Sequence, residues 1–315
     1  PDYWICTDTP DPLVLADKIA RYWFFPVPRL AVVLHEEYDR YLGILEPWIS
    51  RIDAFLLDYD FRSTVQRRVG GSIPMDVVAP LFPLPVRTEN AEVARRRLRK
   101  AQGIPIAANV LGYAGRLGPN KRIEAMLDML GQLIQEGRDN IWLLLAGDWE
   151  LDEYRQAIEQ RLEEPVSTSR GGRIVLKDRV VWVGALSDLT DVYAAMDCFL
   201  LFSKAEGFYP LSVMEAQRLG CPVICTGAGG LSRVLLDGVT GFLIPGMPTS
   251  AGIEWTTESQ RMALERLRYL LDHPTEARAM GLNGQRVVEW LTAVYPFRTL
   301  FRQWMVKRLK EIGTL

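Results

Sequence analysis

The chain of 315 residues contains only two histidines, His35 and His273, too few for a zinc site built on several imidazoles. Cysteine is scarce as well, and each cysteine lies in or beside an apolar, strand-like run. Cys221 and Cys225 are too far apart along one strand to be bridged, so we expect buried thiols rather than disulfides. The four cysteines are Cys6, Cys198, Cys221 and Cys225. The sequence therefore indicates no metal chemistry, and we expect neither a metal nor another cofactor.

The chain also lacks an excess of basic charge. Its 37 Lys and Arg residues are opposed by 39 Asp and Glu residues, which gives a net charge of −2. Nucleic-acid binding needs a basic surface that neutralises phosphates, so we expect no nucleic-acid partner. No apolar run reaches the roughly 18 residues of a membrane span, and the first residues do not resemble a secretion signal. These features favour a cytoplasmic enzyme.

Apolar strand-like runs and helical patterns alternate along most of the chain, with short polar loops between them. From residue 84 onward the runs predict strands at 108–114, 141–146, 179–183, 198–202, 222–225 and 241–244. The predicted helices are 89–102, 121–136, 152–163, 188–196, 211–219, 230–237, 257–272, 274–280, 283–290 and 296–312. Residues 167–172 are predicted to form an inserted loop. This alternation is typical of an α/β fold with a doubly wound parallel sheet.

The first part of the chain shows the same alternation in a shorter form. Strands are predicted near 1–6, 30–34, 53–58 and 75–79, with helices at 13–22 and 59–69. Three prolines in residues 80–85 favour extended backbone and a hinge. We therefore predict two Rossmann-like lobes, and the predicted division is 1–83, 84–290 and a last segment, 291–315.

The most informative stretch is 202–230, which reads FSKAEGFYPLSVMEAQRLGCPVICTGAGG. It predicts a strand, a loop, a helix and a second strand, so its loops lie at the sheet edge where α/β folds bind ligands. The loop supplies one carboxylate, Glu206, and the helix supplies another, Glu215. Amides at a helix start suit a diphosphate, and carboxylates suit sugar hydroxyls. Taken alone, the two carboxylates are more typical of solvated charges at a loop and a helix start.

Five further motifs surround this stretch: VLGYAGRLGPNKRIE from 110, WLLLAGD from 142, VWVGALSD from 181, VYAAMD from 192 and DGVTGFLIP from 237. In this order and spacing, the set resembles the nucleotide-sugar domain of GT-B glycosyltransferases. The closest resemblance is to the retaining family numbered four, the glycosyl transferases group 1. It extends over roughly residues 53–290.

The resemblance implies a role for several residues. Arg116 and Lys121 would hold the donor diphosphate and neutralise the leaving nucleotide, although Lys121 could also simply open a helix. Glu206 would lie beside the transferred sugar, and Glu215 would bind the ribose hydroxyls. His35 matches a histidine that faces the donor sugar, but a lone histidine after a strand is often structural. The implied donor-binding set also contains Gly115, Gly184, Gly207, Phe208, Leu211 and Ser212.

Two positions depart from the family pattern. Eight residues separate Glu206 from Glu215, where the family usually has seven, so Tyr209 is an apparent insertion. We expect a local bulge to absorb it, since a displaced Glu206 would weaken catalysis. Arg233 stands where many relatives carry a glutamate, which reverses the charge at that position.

The resemblance also bears on the ends of the chain. Family members have three more βα units in the first lobe, which implies that this lobe is partial here. Their last helix crosses back to the first lobe, so we expect a buried stripe formed by Phe297, Phe301, Trp304 and Leu309. The basic tip of this helix would allow weak peripheral contact with anionic lipid, or would only complement the helix dipole. The tip contains Lys307, Arg308 and Lys310.

These features predict a retaining glycosyltransferase that moves a hexose from a nucleotide diphosphate sugar to a hydroxyl of an unknown acceptor, without a metal. One alternative is a catalytically impaired module that still binds a nucleotide or a protein partner, which the partial lobe and Tyr209 favour. A second is a sugar-nucleotide epimerase, which is disfavoured because it does not need Arg116, Lys121 and two glutamates together.

Overall fold

The computed structural model describes 4–7, 29–33, 54–57, 75–77, 84, 89–206, 210–250 and 252–294, with short pieces at 302–304, 306–307 and 310–311. Contacts between residues divide the chain into two compact units. One unit comprises Pro1–Pro83 with Thr292–Leu315, and the other is Leu84–Leu291. Three of the predicted site residues, Gly207, Phe208 and His35, lie outside the described residues, as does the inserted Tyr209.

The first unit contains a four-stranded parallel sheet. Its strands follow the chain order, with each strand paired to the next. They are β1 (Trp4–Thr7), β2 (Arg29–Val33), β3 (Ala54–Leu57) and β4 (Met75–Val77). All four predicted strands are confirmed, and the helices predicted at 13–22 and 59–69 lie outside the described residues.

The second unit is built on a six-stranded parallel sheet with the order β12, β11, β10, β5, β6, β9. The strands are β5 (Asn109–Ala114), β6 (Ile141–Ala146), β9 (Val180–Trp182), β10 (Cys198–Leu201), β11 (Val223–Thr226) and β12 (Gly241–Ile244). The order reverses between β5 and β10, so the chain runs outward in both directions from the middle of the sheet. This doubly wound arrangement confirms the predicted α/β fold class.

Helices connect these strands, as the sequence predicts. They are α1 (Ala91–Ala101), α2 (Ile123–Gln135), α3 (Asp152–Leu162), α4 (Thr190–Ala195), α5 (Leu211–Arg218), α6 (Leu231–Val234), α7 (Thr257–Asp272) and α8 (Pro274–Val294). None of the described helices is long and apolar enough to span a membrane.

The predicted break between helices 274–280 and 283–290 is wrong, because α8 runs through it. Two glycines of α8 serve close packing in this part of the helix. A β carbon at Gly281 would lie 2.0 Å from the carbonyl oxygen of Gly220, and one at Gly284 would lie 3.1 Å from the Gln217 side chain. These glycines therefore bring α8 directly against the carboxyl end of α5.

Two short hairpins were not predicted. The segment 167–172, predicted as a loop, is the end and turn of a hairpin formed by β7 (Pro165–Ser167) and β8 (Arg173–Val175). A second antiparallel hairpin, β13 (Met247–Thr249) with β14 (Gly252–Glu254), follows β12. Strands of three residues carry too little alternation to be recognised in a sequence.

Buried apolar side chains fill the centre of the second unit. Tyr113 and Tyr193 both pack against Phe199, with ring centroids 6.1 and 5.8 Å from it. The thiols of three cysteines are also buried, as expected, in Cys198, Cys221 and Cys225. Trp304, which belongs to the first unit, is buried as predicted, and the other three residues of its predicted stripe lie outside the described residues. The central strands thus form a rigid base beneath the carboxyl edge of the sheet.

Candidate active site

Backbone hydrogen bonds join the strand ends at the carboxyl edge of the second sheet. The amide of Gly115 donates to the carbonyl of Ala146 over 2.9 Å, and the amide of Gly147 donates to the carbonyl of Gly184 over 2.8 Å. All three glycines have positive φ. A β carbon at Gly147 would lie 1.9 Å from the carbonyl oxygen of Gly115. Only glycine at position 147 permits this approach. Gly115 and Gly184 take part in the two backbone bonds, so they help to shape the edge on which the predicted site lies.

The structure brings Lys121 and Glu206 together across two loops, although they are 85 residues apart. The Lys121 ammonium forms an ion pair with Oε1 of Glu206, and the Ser203 hydroxyl donates to the same oxygen. The two ion-paired side chains are only 14% and 11% exposed. Lys121 therefore does more than open helix α2, because its charge is fixed at the site. The site residues predicted from two separate motifs meet here.

Asn120 holds these two loops in register. Its side-chain amide donates to the carbonyl of Ala205 over 3.0 Å, and its side-chain oxygen accepts from the amide of Ala205 over 3.1 Å. The Asn120 carbonyl also accepts from the amide of Lys204 over 2.9 Å. Three hydrogen bonds thus fix the backbone directly before Lys121 against the backbone directly before Glu206.

Arg116 lies in a more open position. Its side chain is 73% exposed, and its guanidinium is 3.6 Å from the carboxylate of Glu150. The backbone below it is held by Tyr113, whose hydroxyl donates to the Arg116 carbonyl over 2.9 Å. Burial raises the pKa of Tyr113 well above its usual value, and the nearby charge of Glu206 raises it further. Tyr113 therefore stays a neutral donor beneath the site.

Glu215 projects from α5 and accepts a hydrogen bond from a buried tyrosine. The Tyr193 hydroxyl donates to Oε2 of Glu215 over 2.8 Å, and Oε1 has no partner within the described residues. Burial raises the pKa of Glu215, and the bond from Tyr193 partly opposes this shift. The carboxylate thus has one oxygen held in place and one that can accept from a ligand.

Leu211 and Ser212 form the start of α5. The first N–H groups of a helix have no acceptor within it, so these two amides can bind an anion if one lies in front of them. Pro210 occupies the N-cap position, and no side chain forms a capping hydrogen bond at this helix start. The predicted positions Gly207 and Phe208, which precede it, are outside the described residues.

Several residues around the site carry no role in the sequence prediction. Asn120, Tyr113 and Tyr193 lie inside the recognised motifs, but Asn120 and Tyr193 bond to residues of other motifs, and Tyr113 bonds to the Arg116 backbone. Arg122 and Glu150 likewise act through tertiary contacts. An apolar strand that contains a single tyrosine was the available signal for Tyr113, since a buried hydroxyl needs a partner.

Arg233, the arginine that stands where many relatives carry a glutamate, is exposed on the short helix α6. Within the described part of the chain, no cluster of three or more His, Cys, Asp or Glu side chains has the arrangement of a metal site.

The described geometry can be compared with known protein families. Residues 108–252 match the sequence model of the family described as glycosyl transferases group 1. Over these residues the chain is similar to that family. The match contains Arg116, Lys121, Glu206 and Glu215, and it confirms the resemblance stated from the motifs.

Curated proteins that are similar to this chain include D-inositol 3-phosphate glycosyltransferases. The enzyme of Corynebacterium urealyticum is 32% identical over 196 residues, which is 60% of this chain and 44% of the relative. The enzyme of Saccharomonospora viridis is 25% identical over 283 residues, which is 86% of this chain and 59% of the relative. The chain thus spans about half the length of the curated relatives it matches.

Solved structures show the same fold. Anabaena Alr3699/HepE, solved in complex with UDP and glucose, has a TM-score of 0.70 and 21% identity, covering 98% of this chain and 78% of that one. Sucrose-phosphate synthase from Thermosynechococcus elongatus has a TM-score of 0.66 and 20% identity, covering 96% and 73%. The chain therefore has the GT-B fold, as the sequence predicted.

Proposed function

We propose that the chain is a retaining glycosyltransferase that transfers a hexose from a nucleoside diphosphate sugar to an acceptor hydroxyl without a metal. The observation that carries this proposal is the ion pair of Lys121 with Glu206 at the carboxyl edge of a parallel sheet. The domain match to the glycosyl transferases group 1 supports it.

Lys121 and Arg116 supply the positive charge that the reaction needs. When the bond between the sugar and the diphosphate breaks, negative charge grows on the leaving phosphate. Fixed cations that face this charge stabilise the transition state more than the ground state. The two side chains and the first amides of α5 can perform this task, which metal-dependent enzymes assign to a divalent ion.

Glu206 contributes a carboxylate beside the sugar. Lys121 and Ser203 both engage its Oε1, so Oε2 is the oxygen available to the donor. A fixed carboxylate here can accept from a sugar hydroxyl and stabilise the positive charge that develops at the sugar as its bond breaks. Both functions require the loop position that Asn120 enforces.

Glu215 is assigned to the ribose. Its Oε1 has no hydrogen-bond partner among the described residues, and a carboxylate oxygen can accept from the two ribose hydroxyls. Tyr193 holds the other oxygen, which fixes the direction of the carboxylate. The nucleotide would then span from Glu215 to the cations.

A second candidate function is nucleotide binding with impaired transfer. The additional Tyr209 between Glu206 and Glu215 favours it, because a change of loop length at a reacting centre can cost catalysis while leaving binding intact. Binding without transfer, restored to transfer by deletion of Tyr209, would support this candidate.

The proposal is tested with UDP, the nucleotide bound in two solved structures of Anabaena Alr3699/HepE. UDP should raise the melting temperature of the protein, since a ligand that binds the folded state stabilises it. Incubation with UDP-, GDP- and ADP-sugars should then release the nucleoside diphosphate in the presence of EDTA. The proposal would be refuted if UDP caused no thermal shift and no donor released its nucleoside diphosphate.

A further inference from the structure

Arg122, the residue directly after Lys121, adopts a backbone conformation that is unusual for its type. It has φ 51° and ψ 55°, and it is the one non-glycine residue with positive φ in the described part of the chain. A side chain with a β carbon is sterically disfavoured in this left-handed region. Residues in such conformations persist only where surrounding contacts enforce them, and they cluster at functional sites.

The contacts that enforce this conformation come from the Arg122 side chain. The residue is only 6% exposed. Its Nη1 donates to the carbonyl of Phe202 over 2.7 Å, and its Nη2 donates to the carbonyl of Ile253. Its guanidinium pairs with no carboxylate among the described residues, and burial lowers its pKa. A charge buried against carbonyls alone suggests a positional role.

The two carbonyls belong to the segments that enclose the site. Phe202 directly precedes Ser203, which donates to Glu206. Ile253 lies in β14, and its amide donates to the carbonyl of Lys204 over 2.7 Å. Arg122 therefore connects the start of α2, the end of β10 and the hairpin of β13 with β14.

We propose that Arg122 is a positioning residue that holds the Lys121 ammonium and the Glu206 carboxylate at the distance the transfer requires. This inference rests on the proposed function. Arg122 acts through Lys121 and not on the substrate, since its own guanidinium faces inward to two carbonyls. Arg122 also differs from the exposed Arg116, which can reach the donor.

The test is a double-mutant cycle of Arg122→Gly with Lys121→Ala, measured as kcat/KM for the UDP-sugar the protein uses. Glycine accepts the backbone conformation, so the change removes the Arg122 side chain with its guanidinium and adds no backbone strain. Arg122→Gly should lower kcat/KM at least tenfold in the wild-type background. It should change kcat/KM less than about twofold in the Lys121→Ala background, because coupled residues are not additive.

Arg99 provides a matched control. It is a fully buried arginine that donates to the carbonyls of Ala195, Ile106 and Ala108, below the opposite edge of the sheet, and it also pairs with Asp197. Arg99→Lys should lower the melting temperature and leave kcat/KM of the folded protein unchanged. Arg122→Lys retains a donor for one carbonyl, so it should give an intermediate loss of kcat/KM, and it replaces Arg122→Gly if that variant does not fold.

Equal losses in both backgrounds, or a lower melting temperature with unchanged kcat/KM, would overturn the inference and leave the proposed function standing. A wild type that neither binds UDP nor transfers sugar would overturn both. If the wild type binds UDP but transfers no sugar, the same double-mutant cycle is measured as UDP affinity. Additive losses of affinity in the two variants would then contradict the inference.

Discussion

The two cations of the candidate site are held in different ways. Lys121 is 14% exposed, forms an ion pair with Glu206, and is flanked by two residues that fix its backbone. Arg116 is 73% exposed, lies 3.6 Å from Glu150, and is supported through its backbone carbonyl alone. The comparison shows one rigid half and one adaptable half within a single site.

The difference has consequences for catalysis. A preorganised charge stabilises a transition state without reorganising at the moment of reaction, whereas a solvated side chain must first be ordered. Ordering a long side chain such as Arg116 costs up to about 2 kcal/mol of rotamer entropy. We infer that the Lys121 half sets the reacting geometry and that the Arg116 half closes on the donor after it binds.

The largest effect is expected for Lys121→Ala. The change removes a fixed cation and leaves the Glu206 carboxylate without its ion pair in a poorly solvated position. Removal of one such electrostatic donor lowers kcat by roughly 10²- to 10³-fold. Steady-state kinetics measure this loss. Lys177→Ala is the matched control, since Lys177 also pairs with a glutamate but lies before β9, at the amino edge of the sheet. An equal loss in both variants would refute the special position of Lys121.

Arg116→Ala should have a smaller effect. A charge-assisted hydrogen bond is worth about 1.5–3 kcal/mol, from which the ordering entropy is subtracted, so we expect roughly a tenfold loss of UDP affinity. Because Arg116 is exposed, its contribution should shrink at high salt, whereas that of Lys121 should persist. Calorimetric titration of both variants at low and high salt would show this. A contribution of Arg116 that persists at high salt, together with a contribution of Lys121 that shrinks, would contradict the difference between the two cations.

Glu215→Gln should stabilise the fold and weaken nucleotide binding. Burial raises the pKa of Glu215, so the ionised carboxylate is disfavoured in the folded protein near neutral pH, and the neutral amide removes this penalty. Loss of the charged acceptor should lower UDP affinity by about 1.5 kcal/mol, roughly tenfold. Thermal melts with and without UDP measure both effects. A variant that melts lower without UDP and binds UDP normally would contradict the assignment.

The smallest effect is expected for Tyr193→Phe, which removes a single hydroxyl. One hydrogen bond is worth about 0.5–1.5 kcal/mol, so UDP affinity should fall roughly two- to tenfold. The bond from Tyr193 lowers the pKa of Glu215, so its loss raises that pKa further. UDP binding that needs the ionised carboxylate weakens as the pH falls. In Tyr193→Phe this weakening should begin at a higher pH than in the wild type. Tyr113→Phe is the control, because Tyr113 bonds to the Arg116 carbonyl and should leave this pH profile unmoved.

The sequence supported the fold and the identity of the site residues to different degrees. Strands β6 and β12 were predicted with the observed boundaries, because continuous apolar runs flanked by glycine mark buried parallel strands. Gly281 lies where a break between two helices was predicted, but it allows α8 to pack closely rather than ending the helix. Local pattern cannot distinguish these two uses of glycine, since the contact is with Gly220.

The residues that brace the site could not be predicted in the same way. Lys121 and Glu206 were found from their motifs, but the roles of Asn120 and Arg122 depend on carbonyls 80 or more residues away. A strained backbone also has no sequence signal when arginine occupies the position. The predicted roles of His35, Gly207 and Phe208 stay predictions.

The most direct test of the account is the anomeric configuration of the product formed in EDTA. The protein is incubated with the UDP-sugar it turns over and an acceptor, and the coupling constant of the anomeric proton is read by NMR spectroscopy as the product forms. The account predicts a product with the same configuration as the donor, formed at a rate that EDTA does not change. An inverted product, or a rate that vanishes in EDTA and returns with manganese or magnesium, would contradict it.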